Sequence, residues 1–242
     1  PSGAPHAPSF HESLVMPPQE PISPNEFTPQ MGEDLGKVFF CLYNDITWLN
    51  SRWKMFRALF TKSEGRIKLY NNTADLFFRI LWQALFEDVV LQLSRITEDT
   101  ATNGKENMTI RRLSGLVAPE IKHVVKGLSK EAVKKAELAK AWRDKALAHT
   151  DFNHKIDPDK NPIPTLTYKH IDEAMTAIID VMNAIYMHYC QEKSLFCVVN
   201  AEESVEGLIA YLHKGWQAEL ALQERMNSGT WRPEDLNFTD DV

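Results

Sequence analysis

The sequence predicts an all-α protein, and three observations lead there. From Gly32 onward, long stretches run without proline. Apolar residues within them recur at three- and four-residue spacing, the period of a helix with one buried face. No segment alternates apolar and polar residues between turn signals, as a half-buried strand would. The 242 residues, 43% hydrophobic and 25% charged, suffice for one substantial helical domain that buries a real core.

The elements follow in order. Eight of the 13 prolines fall within the first 30 residues, where they remove backbone donors and restrict the helical angles, so residues 1–31 are expected to form an extended or disordered arm. One helical domain is expected over 32–227 and an acidic tail over 228–242. The first helix should run from about Gly32 to Phe60, with Val38, Leu42, Ile46, Leu49 and Trp53 on its buried stripe. The second should run from about Asn72 to Thr97, with Phe77, Phe78, Leu81, Leu85, Val89 and Leu93 turned to the core. The polar stretch TEDTATNGKEN is expected to be a solvent loop, and a short helix near Ile110 to Leu116 follows. Ser129, with Glu131 behind it, suits the start of a third long helix. NHKIDPDKNPIPTLTY carries three prolines and must be a connection, with a brief extended piece at Thr165 to Tyr168. A fourth long helix is expected over His170 to Glu192. Asn200 and Glu203 read as a capping box opening a fifth helix to about Asn227. The aromatic residues Trp48, Trp53, Phe77, Phe78 and Trp82 have helical spacing and read as core or as a dimer interface.

Composition excludes several classes. The formal net charge of −6 argues against broad electrostatic capture of nucleic acid, so any such contact must be local. Cys41, Cys190 and Cys197 form no CxxC and are odd in number, which indicates neither a zinc ribbon nor a disulfide framework and fits a reducing cytoplasm. No apolar run approaches membrane-spanning length, and no basic-then-apolar leader is visible; a soluble cytoplasmic protein is expected. Glu120 and His123 make a single ExxH without the second copy and extra glutamates of a di-iron bundle, and His149, Asp151 and His154 more simply make a polar loop. No metal or cofactor is expected.

The densest chemistry lies in WRDKALAHTDF, near the expected end of the third long helix. Arg143 and His149 stand six residues apart, with Asp144 directly after the arginine. A planar guanidinium matches two phosphate oxygens, and an imidazole titrates near working pH. The plain alternative is a surface ion pair with Asp144 and Asp151 plus a histidine at a helix C-terminus. On a straight helix six positions leave the two side chains about 120° apart. For both to serve one phosphate, the helix must therefore end or distort before His149.

RDKALAHTD resembles the R-[polar]-x(3-5)-H signature of the HEPN superfamily, the higher eukaryote and prokaryote nucleotide-binding domains. NDITWLNSRWKMFRALF and NTADLFFRILWQALFEDVVLQLSRITED resemble its AbiU-type branch, named for abortive-infection proteins. There a phenylalanine-rich second helix ends in a pattern matched by Asp88, Leu91, Arg95, Thr97 and Glu98. The likeness covers about Asn44 to Tyr189. It implies an up-and-down four-helix bundle core with extra helices, a homodimer, and in many members metal-independent endoribonuclease activity. RNA would then be the substrate, in phage defence or as a toxin with an antitoxin protein as partner. Arg143, His149 and Asp144 would be the catalytic residues, with Asp88, Arg95 and Asp151 supporting them. Such cleavage needs a base for the 2′-hydroxyl, an acid for the leaving 5′-oxygen and a cation over the phosphorane; a two-fold cleft would supply the second histidine. Other members of the superfamily are noncatalytic modules that bind nucleotide, RNA or a protein partner.

Overall fold

The computed structural model describes residues 26–148, 156–157, 159–198 and 200–236. The described residues form an all-α fold whose helices are α1 (Thr28–Met31), α2 (Glu33–Phe60), α3 (Glu64–Thr73), α4 (Asp75–Thr97), α5 (Leu113–Leu116), α6 (Pro119–Arg143), α7 (Tyr168–Cys190) and α8 (Ala201–Ser228). The four long helices α2, α4, α6 and α7 close a bundle in the order α2, α4, α6, α7 and back to α2. No helix among the described residues is long and apolar enough to cross a membrane, and all three cysteines are free.

The bundle forms because each helix carries one apolar stripe that is stable only when covered. Leu35, Phe39, Leu42, Ile46, Leu49, Trp53 and Phe56 of α2 are all buried. They meet Phe86, Val89, Val90 and Leu93 of α4, Val125, Ala132, Ala136 and Ala139 of α6, and Ile171, Met175, Ile178, Met182 and Ile185 of α7. The alanines of α6 let its backbone approach its neighbours closely, and Trp142 closes the far end edge-on to Phe86 at 5.4 Å. On the other side Trp53 donates its indole N–H to Asp172 of α7 at 2.6 Å. Its polar edge is thereby satisfied inside the interface.

The buried polar residues of α2 have a specific task. Asn50 Nδ2 donates to the carbonyls of Leu195 and Phe196, at 3.2 and 2.9 Å, and Ser51 Oγ accepts from Val198 N–H at 2.8 Å. Asn183 of α7 exchanges both its amide groups with the backbone of Ser194. The segment between α7 and α8 is thus stitched across the bundle, with Phe196 seated in the core at φ 44°.

Several boundaries differ from the sequence expectation, each for a physical reason. The last residues of the expected arm are not extended: Thr28–Met31 is a helical turn, and Phe27 and Met31 are buried. Phe27 packs edge-on to Phe39 at 5.0 Å and Tyr186 at 6.0 Å. This seat requires glycine twice. Gly32 links the two helices at φ 80°, ψ 169°, a region open essentially to glycine alone, and a Cβ on Gly36 would lie 2.9 Å from the backbone Cα of Thr28. Residues 1–25 and the end of the acidic tail, 237–242, lie outside the described residues.

The expected second helix is α4, which starts three residues later, at Asp75, after a break at Ala74; the apolar period does not reveal α3, which is short and largely polar. Ser63 caps α3 by accepting from Arg66 N–H, and Tyr70 stacks on Phe78 at 3.9 Å across the break. Phe77, expected in the core, points outward and is 60% exposed, as are Trp48 at 47% and Trp82 at 37%. The polar loop contains a small hairpin, Ala101–Thr102 with Lys105–Glu106, turning on Asn103 and Gly104 at positive φ, the favoured geometry for Asn-Gly. The third long helix begins at Pro119, ten residues before Ser129. Proline at the first helical position gives up an N–H that the helix does not use, and the free Ala118 N–H is met by the Tyr189 hydroxyl at 2.8 Å. The capping box stands at Thr167 and His170, opening α7; Asn200 starts α8 in a left-handed conformation without a side-chain cap.

Two outcomes are expected from this packing. Phe56→Ala should destabilise the fold by about 3–5 kcal/mol, whereas Phe77→Ala should stay within about 0.5 kcal/mol; denaturant unfolding measures both, and equal losses would contradict the assigned faces. Gly36→Ala should push the α1 turn off α2 and uncover Phe27, seen as faster amide exchange over 27–31 with the α2 core still protected.

Candidate functional site

The site forms where α4 ends, α6 ends and the small hairpin folds back. Glu98 is the residue directly after α4, and Arg143 is the last residue of α6. Glu98 Oε1 accepts a hydrogen bond from Arg143 Nη1. The other side of the guanidinium is taken by Asp144, whose Oδ1 accepts from Nε at 2.9 Å and Nη2 at 2.6 Å. The Arg143 side chain is 13% exposed and Glu98 24%, while Asp144 is 49% exposed. Burial alone would disfavour the charged guanidinium, but the hydrogen bonds and charges of Asp144 and Glu98 outweigh it and hold Arg143 above its ordinary value. Arginine is charged at any working pH, so the consequence is orientation: the fork is locked by two carboxylates.

Immediately after Arg143 the helix widens into a π-turn over Asp144–Ala148. Single π-turns inside helices mark places where local geometry is changed for a reason other than stability. The helix is thus distorted between Arg143 and His149. His149 and Asp151 themselves lie outside the described residues.

The face leading into the site carries the other candidates. Asp88, Leu91 and Arg95 recur on α4 at intervals of three and four, so they share one face. They run antiparallel to Asp45, Trp48 and Arg52 on α2, which have the same spacing. Arg52 Nη1 lies 3.2 Å from Asp88 Oδ2, so Asp88 pairs between helices instead of reaching Arg143. Arg95 lines a cleft of about 190 Å³ together with Asp45, Gln92, Glu98, Asn107 and Met108. Asp45 is exposed as a residue, yet desolvation within the cleft pushes its carboxyl up, opposed by the positive charges of Arg95 and Arg52. Thr97 ends the pattern, its carbonyl accepting from Arg111 Nε at 3.0 Å.

The structure thus brings Arg143, Asp144 and Glu98 together, sets Arg95 beside them through Glu98, and leaves Asp88 in a structural pair. Asp45 and the Glu98 contact to Arg143 are not visible as site features in the sequence, because 45 residues separate Glu98 from its partner. No group of three or more His, Cys, Asp or Glu residues could hold a metal ion among the described residues.

A family model described as AbiU2, within HEPN, matches residues 32–194, two thirds of the chain. No curated protein and no solved structure matches the chain. The match covers all four bundle helices and the whole of the Arg143 site, and it ends before α8. The chain is a member of the AbiU2 family of the HEPN superfamily.

Proposed function

We propose that this protein is a metal-independent endoribonuclease of the abortive-infection type, in which Arg143 stabilises the phosphorane and His149 transfers protons, with Asp144 orienting the guanidinium. The observation that carries the reading is the fixed Arg143 fork at the point where α6 becomes a π-turn, six residues before His149. Where phosphodiesters are cleaved without metal, preorganised positive charge aimed at the developing oxyanion lowers the barrier more than any other single effect. The reaction needs an acid and a base at one phosphate, and a homodimer with two motifs in one cleft supplies a histidine for each. Trp48 and Leu91, 47% and 38% exposed, lie on the α2–α4 face beside the Arg95 cleft and support that face as the place where a second copy packs. The protein acts in the cytoplasm, in phage defence or as a toxin that an antitoxin protein would restrain.

A specific observation favours a second reading, a noncatalytic module that binds nucleotide, RNA or a protein partner. Glu98 and Asp144 together place two negative charges on one guanidinium, so the cluster has a net charge of −1 and phosphate must displace a carboxylate to enter. In the first reading that displacement is a gate; in the second the clamp is permanent.

Two experiments separate them. Arg143→Ala and His149→Ala should keep the helical circular dichroism spectrum and lose at least ~10²-fold in RNA cleavage measured in EDTA; undiminished cleavage in both would sink the nuclease assignment. Glu98→Gln removes one of the competing charges and should tighten RNA binding several-fold if the clamp is a gate, read by titration with labelled RNA. In a double-mutant cycle with Arg143→Ala and Glu98→Ala, urea unfolding should report a coupling of about 1 kcal/mol, and zero coupling would mean the pair does not persist in solution.

A further inference from the structure

The charge of this acidic chain is not evenly spread. Along α6, Lys122, Lys126, Lys130 and Lys134 recur at every fourth position, and all four are exposed. Four residues advance a helix by ~6 Å and overshoot a full turn by about 40°, so neighbouring lysines adjoin and the four form a ridge ~18 Å long that winds about 120° around the helix. Lysines at this spacing repel one another along the helix. The carboxylates on the same helix, Glu120, Glu131 and Glu137, do not relieve them: among the described residues none of the four lysines is in an ion pair. Lys135, one position off the ridge, is paired with Glu173 of α7 at 2.7 Å, so charge on this helix is neutralised where it faces a neighbour and left free where it faces solvent.

Beside the ridge is a cleft of about 360 Å³ lined by Arg111, Ser114, Lys126, Ser129, Lys130 and Val133. Ser129 is only 6% exposed, and its hydroxyl has no hydrogen-bond partner among the described residues. A serine inside a helix ordinarily bonds back to a carbonyl of the previous turn, as Ser51, Ser94 and Ser228 do here. A buried hydroxyl left without a partner is a cost that calls for an explanation. The Ser114 hydroxyl already donates to the Arg111 carbonyl at 3.3 Å, which leaves three cationic side chains and the Ser129 hydroxyl around one small cleft, the donor set of a phosphate site. Arg111 is partly neutralised by Asp99 at 2.9 Å, and it ties the cleft to the candidate active site: its Nε bonds the Thr97 carbonyl, next to the Glu98 that holds Arg143.

We infer that the α6 lysine ridge and the Ser129 cleft bind the phosphate backbone of a single-stranded polynucleotide and present it to the Arg143 site. The proposal deepens the nuclease reading by giving its substrate a docking track. The recognition is of successive phosphates and is indifferent to base sequence, because lysine ammonium groups meet phosphates as point charges. It also gives a chain with net charge −6 a locally basic face on which to engage an acidic ligand.

The test uses the full chain and a fluorescein-labelled 2′-O-methyl oligouridylate, which has no 2′-hydroxyl to attack and so reports binding whether or not the protein cleaves RNA. For single strands the logarithm of affinity falls with the logarithm of salt by about 0.7 per phosphate neutralised. The Lys126→Gln/Lys130→Gln protein should therefore lose about 1.4 from that slope, the corresponding double arginine variant should regain it, and Lys68→Gln/Lys214→Gln should match the unaltered chain. Ser129→Ala removes an unpaired buried hydroxyl and should raise the melting temperature, leave the slope unchanged and weaken binding several-fold. A slope unaffected by the two glutamines, or equally affected in the Lys68/Lys214 protein, overturns the proposal. So does displacement of the oligonucleotide by inorganic phosphate at equal phosphate concentration, which would assign the cleft to a free anion. If the ridge variants behave as expected while no RNA is cleaved, the track stands and the nuclease assignment falls; if RNA is cleaved at Arg143 and the ridge variants bind normally, the reverse holds.

Discussion

The rest of the molecule is arranged around the apolar stripe of α2. Phe39, Leu42, Ile46, Leu49, Trp53 and Phe56 are almost completely withdrawn from water, and at roughly 25 cal/mol per Å² of apolar surface this burial is the main force holding the helices together. Because the stripe faces the centre of the bundle, α4 and α7 flank it and α6 closes the far side with small side chains, which fixes how near the backbones come. The α1 turn and the α7–α8 segment are then secured by aromatic or polar contacts to the same helix, and α5 by the burial of Leu113 in the core. Removing any single flanking helix would expose α2, so the bundle is expected to behave as one cooperative unit.

That arrangement delivers the site. The end of α4 and the end of α6 are brought together by burial further back along both helices, where Leu93 and Ile96 of α4 and Ala136 and Ala139 of α6 lie in the core and Trp142 packs on Phe86. Beyond it Glu98 and Arg143 meet. A carboxylate and a guanidinium attached to helix ends whose positions are set by a packed core need little further ordering, so the pair can hold a definite geometry despite partial exposure. The π-turn that follows lies beyond Ala139, the last buried residue of α6.

The charge pattern follows the same division. Where α6 faces α7, Lys135 finds Glu173; where α2 faces α4, Arg52 finds Asp88; at the α3–α8 contact, Lys62 and Arg66 both reach Glu206, and burial pushes the nearby Tyr70 hydroxyl up to about 12 as it donates to the Leu59 carbonyl. These cations at helix contacts are matched, whereas the four lysines on the solvent face of α6 have no ion pair among the described residues. The α8 helix, outside the family match, is buried only at Ala201 and Val205 and is joined to the bundle mainly through these charged pairs and a small apolar cluster with Ala58, Leu59, Tyr70 and Phe78.

The helical class, the extent of α2, the end of α4 and the Arg143 motif are all legible in the chain without its fold. They rest on the period of apolar residues and on residue types whose chemistry is local. The lysine period of α6 is equally legible, since it is a spacing. That Phe77 faces out and Phe78 in emerges only on packing, since adjacent residues on a helix differ by about 100° and only the neighbours say which side is covered. Ser129 likewise lies buried inside a helix instead of capping one, because a cap is recognised by the turn before it and Pro119 has already started the helix. The meetings of Glu98 with Arg143 and of Phe27 with Phe39 belong to the folded state as well: contacts between residues distant in sequence are set by packing, which leaves no periodic trace in the chain.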